Sequence, residues 1–361
     1  MTRRAWISFA AASVIWGIPY LFIRIAVRHG FTPASLAWSR VALASIVLLA
    51  LAWRAGTLTQ LKGRWRWLAF YALVETSLPF PLIAFGEQRV SSSLAAIIIA
   101  AVPLIGTLLA LRFDHSEKPT PVRFAGLVLG FGGVIALVGI DVAGNSSELL
   151  GTGAILVAAI GYAIGPMVIK HRFTGLDSRA VMGASLGICA IFLTPLAAVD
   201  MPAKVPSGGA IASVVVLGLV CTALAFIVFT VLIREAGTSR ATVITYVNPV
   251  VAVALGVTLL GESPGAGAVA GLLLILAGSW ISTGGKLPPG VMSWVAERGF
   301  TPRQRRPEPA KAAWSPDRQA SRNLVHEPGQ SKRSRARLPT VRTARLGEAA
   351  GHPDLAPARR F

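Results

Sequence analysis

The second half of this chain repeats the first. Glu75-Thr76 lies in LVETSLPF, and Cys221-Thr222 lies in LVCTALAF 146 residues later. The same offset relates Trp16 to Tyr162, Arg24 to Lys170, Phe80 to Phe226 and Pro103 to Pro249. After one deleted residue it becomes 145, for Glu117 and Glu262, Gly126 and Gly271, and Gly133 and Gly278. Each copy holds five apolar stretches of about twenty residues, the length that crosses a bilayer core as a helix. Five crossings is an odd number, so the second copy enters the membrane upside down. Inverted copies around a mid-membrane site are the architecture of secondary transporters.

The expected spans are 5–27, 33–53, 67–86, 90–111, 122–140, 149–169, 180–199, 209–233, 238–260 and 266–283. They predict an all-α membrane protein of ten transmembrane helices, as two inverted five-helix repeats over 5–140 and 149–283. The apolar blocks are continuous and show no period-two alternation, which favours helices over a barrel. The first block is too long for a cleaved signal, carries Trp16, Pro19 and Tyr20, and matches the repeat near 150–170. It reads as an uncleaved span.

Charge placement orients the chain. With a cytoplasmic N-terminus, inner segments up to Arg240 carry 14 Lys and Arg, whereas outer segments carry Arg24, Arg28, Arg89 and Lys204. The positive-inside rule then puts both termini in the cytoplasm of a multi-pass plasma-membrane protein. From Lys286 the composition changes. Residues 286–361 hold 16 Lys and Arg against 6 Asp and Glu, with many Pro, Ala and Ser. Such a segment buries too little to offset the entropy of ordering and reads as a disordered basic tail. It suits a solvated extension or contact with anionic lipid. Nucleic acid is the weaker reading, since no series of base-stacking aromatics interleaves the arginines.

Several chemistries are disfavoured. Cys189 and Cys221 both fall inside spans and form neither a disulfide framework nor a metal spacing, so no metal or cofactor is expected. No phosphate-cradling G-x-x-x-x-G-K-[ST] occurs, so active transport has to draw on an ion gradient. Gly183-Ala184-Ser185-Leu186-Gly187 matches the G-x-S-x-G string, which leaves an intramembrane serine hydrolase as an alternative. Its other reading is a small-residue face for close helix approach, as at Gly126-x-x-x-Gly130. A membrane anchor whose basic tail is the functional part is a further alternative.

Ionisable residues inside spans are costly and by default functional. At the helical rise, Arg40 lies about 10 Å below the outer interface and Glu75 about 12 Å above the inner one. They read either as a fixed pair or as cavity groups, Arg40 attracting an anion and Glu75 exchanging a proton. Trp16, Tyr20, Tyr162 and Tyr246 are candidate pocket aromatics, and Asn248 a candidate amide ligand or interhelical bond. Pro19, Pro79, Pro103 and Pro249 are candidate kinks that free carbonyls near a site. Pro103 and Pro249 are expected to be matched kinks. Glu117 and Glu262 read as carboxylates serving the positive start of the helix that follows each.

Three stretches carry a family resemblance: Trp16-Gly17-x-Pro19-Tyr20 with Arg24 behind it, Leu259-Leu260-Gly261-Glu262, and Gly271-Leu272-Leu273-Leu274-Ile275-Leu276-Ala277-Gly278. They resemble the EamA branch of the drug/metabolite transporter superfamily. The resemblance covers about 5–283 as two repeats. It implies a ten-helix carrier with cytoplasmic ends that moves small metabolites, such as amino acids or drugs, by a secondary mechanism. Export is the preferred direction, and a homodimer is compatible with it. Tyr162 departs from the pattern, where tryptophan is common. So does Asp114-His115-Ser116-Glu117, where Gly-Glu is usual. The tail lies outside the resemblance.

Overall fold

The computed structural model describes residues 2–113, 120–237, 241 and 243–283. The expected tail over 286–361 and Glu117 lie outside the described residues. Eight helices are long and apolar enough to span a membrane: α1 (Arg3–Arg28), α2 (Pro33–Arg54), α3 (Trp65–Glu87), α4 (Ser92–Phe113), α5 (Pro121–Val142), α6 (Ser146–Phe173), α7 (Ser178–Val199) and α8 (Gly208–Ala236). Two shorter apolar helices follow, α9 (Ile244–Leu260) and α10 (Ala266–Ser282). Among the described residues there is no strand. Helix starts are set by side-chain caps: Thr32 for α2, Ser91 for α4, Thr120 for α5, Asn145 for α6, Asp177 for α7 and Ser207 for α8. Each satisfies amide groups that the first helical turn leaves unpaired.

The inverted repeat is visible in the packing of α5 on α10. A Cβ at Gly126 would meet the Gly278 carbonyl at 2.9 Å, and one at Gly133 would meet the Gly271 carbonyl, also at 2.9 Å. Gly126 and Gly271 are repeat equivalents, as are Gly133 and Gly278. The contact is therefore self-complementary, as two antiparallel copies of one surface require. Without side chains in the way, the two backbones approach directly. α2 and α7 form a second such pair across the repeats, with Gly183 against the backbone of Leu48 and Leu49.

The other six helices form two groups. α1 packs with α8 and α9, whereas α6 packs with α3 and α4. Near the ends of α1 and α3 the groups meet: the second half of α1 lies on α3 and α4, and α9 lies on α4. We call this end distal and the end bearing Thr2 terminal. Among the described residues, the terminal halves of the two groups make no comparable packing.

Prolines shape the helices unequally. α1 is interrupted at Ile18, just before Pro19, and α4 at Ala100 and Ala101, just before Pro103. α9 runs unbroken through Pro249, so the repeat-matched prolines do not produce matched breaks. In α3, Pro79 lacks the N–H that would close a turn onto Glu75. The chain widens instead into a π turn over Leu73–Ser77, with the Leu78 amide donating to the Leu73 carbonyl at 3.0 Å. The equivalent stretch of α8, Val216–Leu224, is also π-helical. It contains no proline, so the repeat keeps the geometry rather than the residue.

Candidate functional site

Arg40 sits on α2 and is 7% exposed. Its Nε donates to Thr222 Oγ1 on α8 at 2.9 Å, and its guanidinium lies 4.0 Å from the Phe80 ring centroid on α3. Thr222 in turn donates to the Leu217 carbonyl at 2.8 Å, a bond that the π turn makes possible. Gly218 lets α2 approach here, because a Cβ would meet the Arg40 carbonyl at 3.1 Å. Tyr162, Cys221, Tyr20 and Glu87 are the ionisable groups that feel the Arg40 charge. One buried cation is thus ringed by residues from α1, α2, α3, α6 and α8.

Glu75 belongs to the same region but does not pair with Arg40. Its Oε2 is buried without a hydrogen-bond partner and rests against Gly165 of α6, where a Cβ would occupy the carboxylate's place. Tyr162 interacts with both Arg40 and Glu75, which links the two charged groups. The fixed Arg40–Glu75 pair is absent among the described residues because each side chain turns to a different neighbour: Arg40 to α8 and α3, Glu75 to α6. In the second repeat the Glu75 position is Cys221, buried and free.

The remaining candidates divide. Trp16 stands on the wall of α1 against Phe226 and Phe229 of α8, with centroids at 5.8 and 4.8 Å. Tyr246 lies near the terminal end, bonded to Thr283 Oγ1 at 2.7 Å, and thus braces α9 on α10. Asn248, with its amide turned to suit its surroundings, donates to the carbonyls of Ile244 at 2.9 Å and Ser13 at 3.1 Å. That bond ties α9 to α1. Ser185 is buried in α7 with its hydroxyl unpartnered. His29 and His171, the histidines among the described residues, bond to carbonyls of their own helices. The G-x-S-x-G string lies in a packed helix, with Gly183 against the backbone of Leu48 and Leu49, and among the described residues no imidazole approaches it.

The distal face is tied by charge across the helix groups. Arg24 Nη1 of α1 donates to the carbonyl of Glu87, and to that of Val90 at 3.0 Å. Glu262, just beyond α9, accepts from the Ser92 and Ser93 amides at 2.8 and 2.9 Å and from Ser93 Oγ at 2.6 Å. Glu262 thus serves the start of α4 rather than that of α10, which follows it. The start of α10 is served by Asp141 from the end of α5, bonded to the Gly267 and Ala268 amides at 3.1 and 2.5 Å. Sequence order suggests a local partner; the fold supplies one from the other repeat. Burial pushes the Glu262 carboxyl up, but the bonds from Ser93 and Ser92 outweigh it and hold the group below the usual glutamate range. A polar pocket of about 550 Å³ opens here, lined by Arg24, Arg89, Ser93, Asp141, Glu148 and Pro264 among others.

Reading by sequence missed Thr222, Asp141 and Glu87. The repeat offered a signal for Thr222, which is the equivalent of Thr76. Glu87 was hidden because the apolar block ends at 86, which makes the residue look like part of a loop.

Two inverted sets of apolar helices around a buried polar centre define a multi-pass membrane transporter. The chain belongs to the EamA-like transporter family, whose model matches residues 4–139 and 149–284, one match per repeat. It is 31% identical over 259 residues to the "Uncharacterized inner membrane transporter YedA" of Escherichia coli (strain K12), covering 70% of this chain and 82% of that one. It is 30% identical over 292 residues to a "Probable terminal-alkyne amino-acid exporter" of Streptantibioticus cattleyicolor, covering 76% and 94%. A crystal structure at 18% identity superposes with a TM-score of 0.57 over 78% of this chain and 97% of that one. At that identity it shares the fold alone.

Proposed function

We propose that the chain is a secondary exporter of small amino-acid-like metabolites, driven by protons and working by alternating access. The observation that carries this reading is the buried centre itself. A cation, Arg40, and a carboxylate, Glu75, both interact with Tyr162 within the helices, and Tyr20 also interacts with Arg40. Arg40 attracts the carboxylate of a substrate, and Glu75 faces its ammonium group or exchanges a proton with it. Buried charges of this kind are expensive unless they serve transport. The exporter named among the relatives supports both the substrate class and the direction. The charge bias of the loops supports a cytoplasmic terminal face. Packing at the distal face and divergence at the terminal one fit a carrier open toward the cytoplasm, ready to load.

The test is flux in proteoliposomes. Glu75→Gln should fold normally and lose transport driven by a pH gradient, while Arg40→Lys should weaken uptake of acids more than of amides. Full pH dependence in the Glu75→Gln protein would remove Glu75 from the coupling step.

A further inference from the structure

Glu87 closes α3 at the distal face. It is 0% exposed, and neither oxygen of its carboxyl group has a hydrogen-bond partner. An ionised carboxylate placed so would be a buried charge without a hydrogen-bond partner, which is costly even after relaxation. Next to it, Arg24 is in a matching position. Its Nη1 is spent on the backbone carbonyls of Glu87 and Val90, while its Nε is buried and unpartnered. Both halves of an ion pair are therefore present, interacting and unmade. A neutral Glu87 is the form that this arrangement tolerates.

We propose that Glu87 is a proton-binding site of the transport cycle, protonated while the distal face is closed. When the carboxyl O–H breaks, the proton leaves to water through the Arg24-lined distal pocket. The new carboxylate has no hydrogen-bond partner in the closed seam, so it is stabilised by the water that enters as the face opens. That water also competes for the Arg24 bonds to the Glu87 and Val90 carbonyls, which weakens the tie between α1 and the α3–α4 corner. The bound proton thus latches the two helix groups, and its release lets them part.

The charged and titratable groups that face Glu87 are few. They are Arg24 and Tyr20 from α1, Arg40 from α2 and Glu262 from the segment after α9. Thr152 of α6 and Ser92 of α4 also carry buried hydroxyls without a hydrogen-bond partner. Arg24 is the partner whose own bonds hold the gate. Glu262 repels a charge on Glu87, which favours the protonated form while the face is closed. This inference rests on the alternating-access reading above, but its test needs no substrate.

Spin labels at His29→Cys and Gln88→Cys, both exposed distal positions, report the gap between α1 and α3. The native cysteines are buried and can stay. In nanodiscs, the closed-to-open ratio of the otherwise unaltered protein should fall as pH rises through the range in which Glu87 loses its proton, by about tenfold per pH unit. Glu87→Gln should hold the short distance over that same rise in pH, and Glu75→Gln should keep the response. A response that survives Glu87→Gln, or none in the unaltered sites, overturns the proposal. Infrared difference spectra in the Glu75→Gln background give a second measurement if Glu87→Gln does not fold. They should show a protonated, unbonded carboxylic acid that vanishes as the distal face opens; its absence from the closed state also overturns the proposal. Loss of flux with an intact pH response would instead count against the transport reading.

Discussion

At the distal face Arg24 and Glu262 each reach from one helix group to the other. At the terminal face, by contrast, two described ties each stay inside a single group. Arg4 meets Glu235 at 3.7 Å, joining α1 to α8. Arg64 donates to the Arg172 carbonyl at 2.6 Å, and the Arg172 guanidinium covers Trp67 at 3.9 Å, joining α6 to the start of α3. The distal bonds are charge-assisted and half-buried, each of a kind that contributes about 1.5–3 kcal/mol. The terminal ones are exposed and add little. The difference teaches where the bias of this conformation resides. A few charged groups on one face hold the groups together, and the other face is free to close by packing alone.

The largest effect should come from breaking the scaffold that both faces share. A Cβ at Gly278 would strike the backbone N and Cα of Gly130, which cannot rotate away as a side chain can. Gly278→Leu should therefore force α10 off α5 and cost about 3 kcal/mol, the upper part of the overpacking range. A lower unfolding temperature in detergent and loss of monodisperse protein are the readouts. Gly132→Leu, on the facing helix α5 but with open space around it, should change neither. Equal damage from both would show that composition, not this contact, sets stability.

That scaffold was legible before any coordinates, and the reasons are physical. Offsets such as Gly126 to Gly271 and Gly133 to Gly278 record a surface used twice, and a self-complementary contact follows from antiparallel copies. Span positions follow from apolar length. The site was less legible. Depth in the membrane brought Arg40 and Glu75 within reach, but depth says nothing of azimuth. Arg40 instead found Thr222, 182 positions along the chain. Glu262 and Asp141 showed the same limit: a carboxylate near a helix start reveals its chemistry, while its partner depends on tertiary packing. Glu87 looked like a loop residue because hydropathy ends one residue before it. Only the burial of both its oxygens marks it out.

A middle-sized effect is expected at the latch. Glu262→Gln keeps the shape but replaces charge-assisted bonds by neutral ones of roughly half the strength. Because the group is only half-buried, the loss should be about 1–2 kcal/mol, a factor of roughly 5–30 in the closed-to-open ratio. Distances across the distal face measure it directly. The pH dependence has a definite sign. The closed state holds this carboxyl below its usual range, so the latch is complete above that range and is lost as pH falls through the lowered value. The unaltered protein should thus open distally in acid, and Glu262→Gln should lack that limb. Unchanged acid opening in the variant would move the latch elsewhere.

The smallest effect should appear at the terminal pair, and its smallness is what gives the comparison force. Arg4 has a side chain 74% exposed and Glu235 one 26% exposed, at a separation beyond an ordinary hydrogen bond. Solvent and salt screen such a pair to at most about 1 kcal/mol. Thr2 Oγ1 also donates to Glu235 at 3.0 Å, so the carboxylate keeps a partner when Arg4 is removed. More important, the two residues lie in one helix group, so whatever they contribute is present in both the closed and the open state and cancels from the ratio. Arg4→Ala should leave the distance distribution across either face unchanged. A shift as large as that of Glu262→Gln would mean that α1 and α8 do not move as one body, and the assignment of ties within and between groups would have to be redrawn.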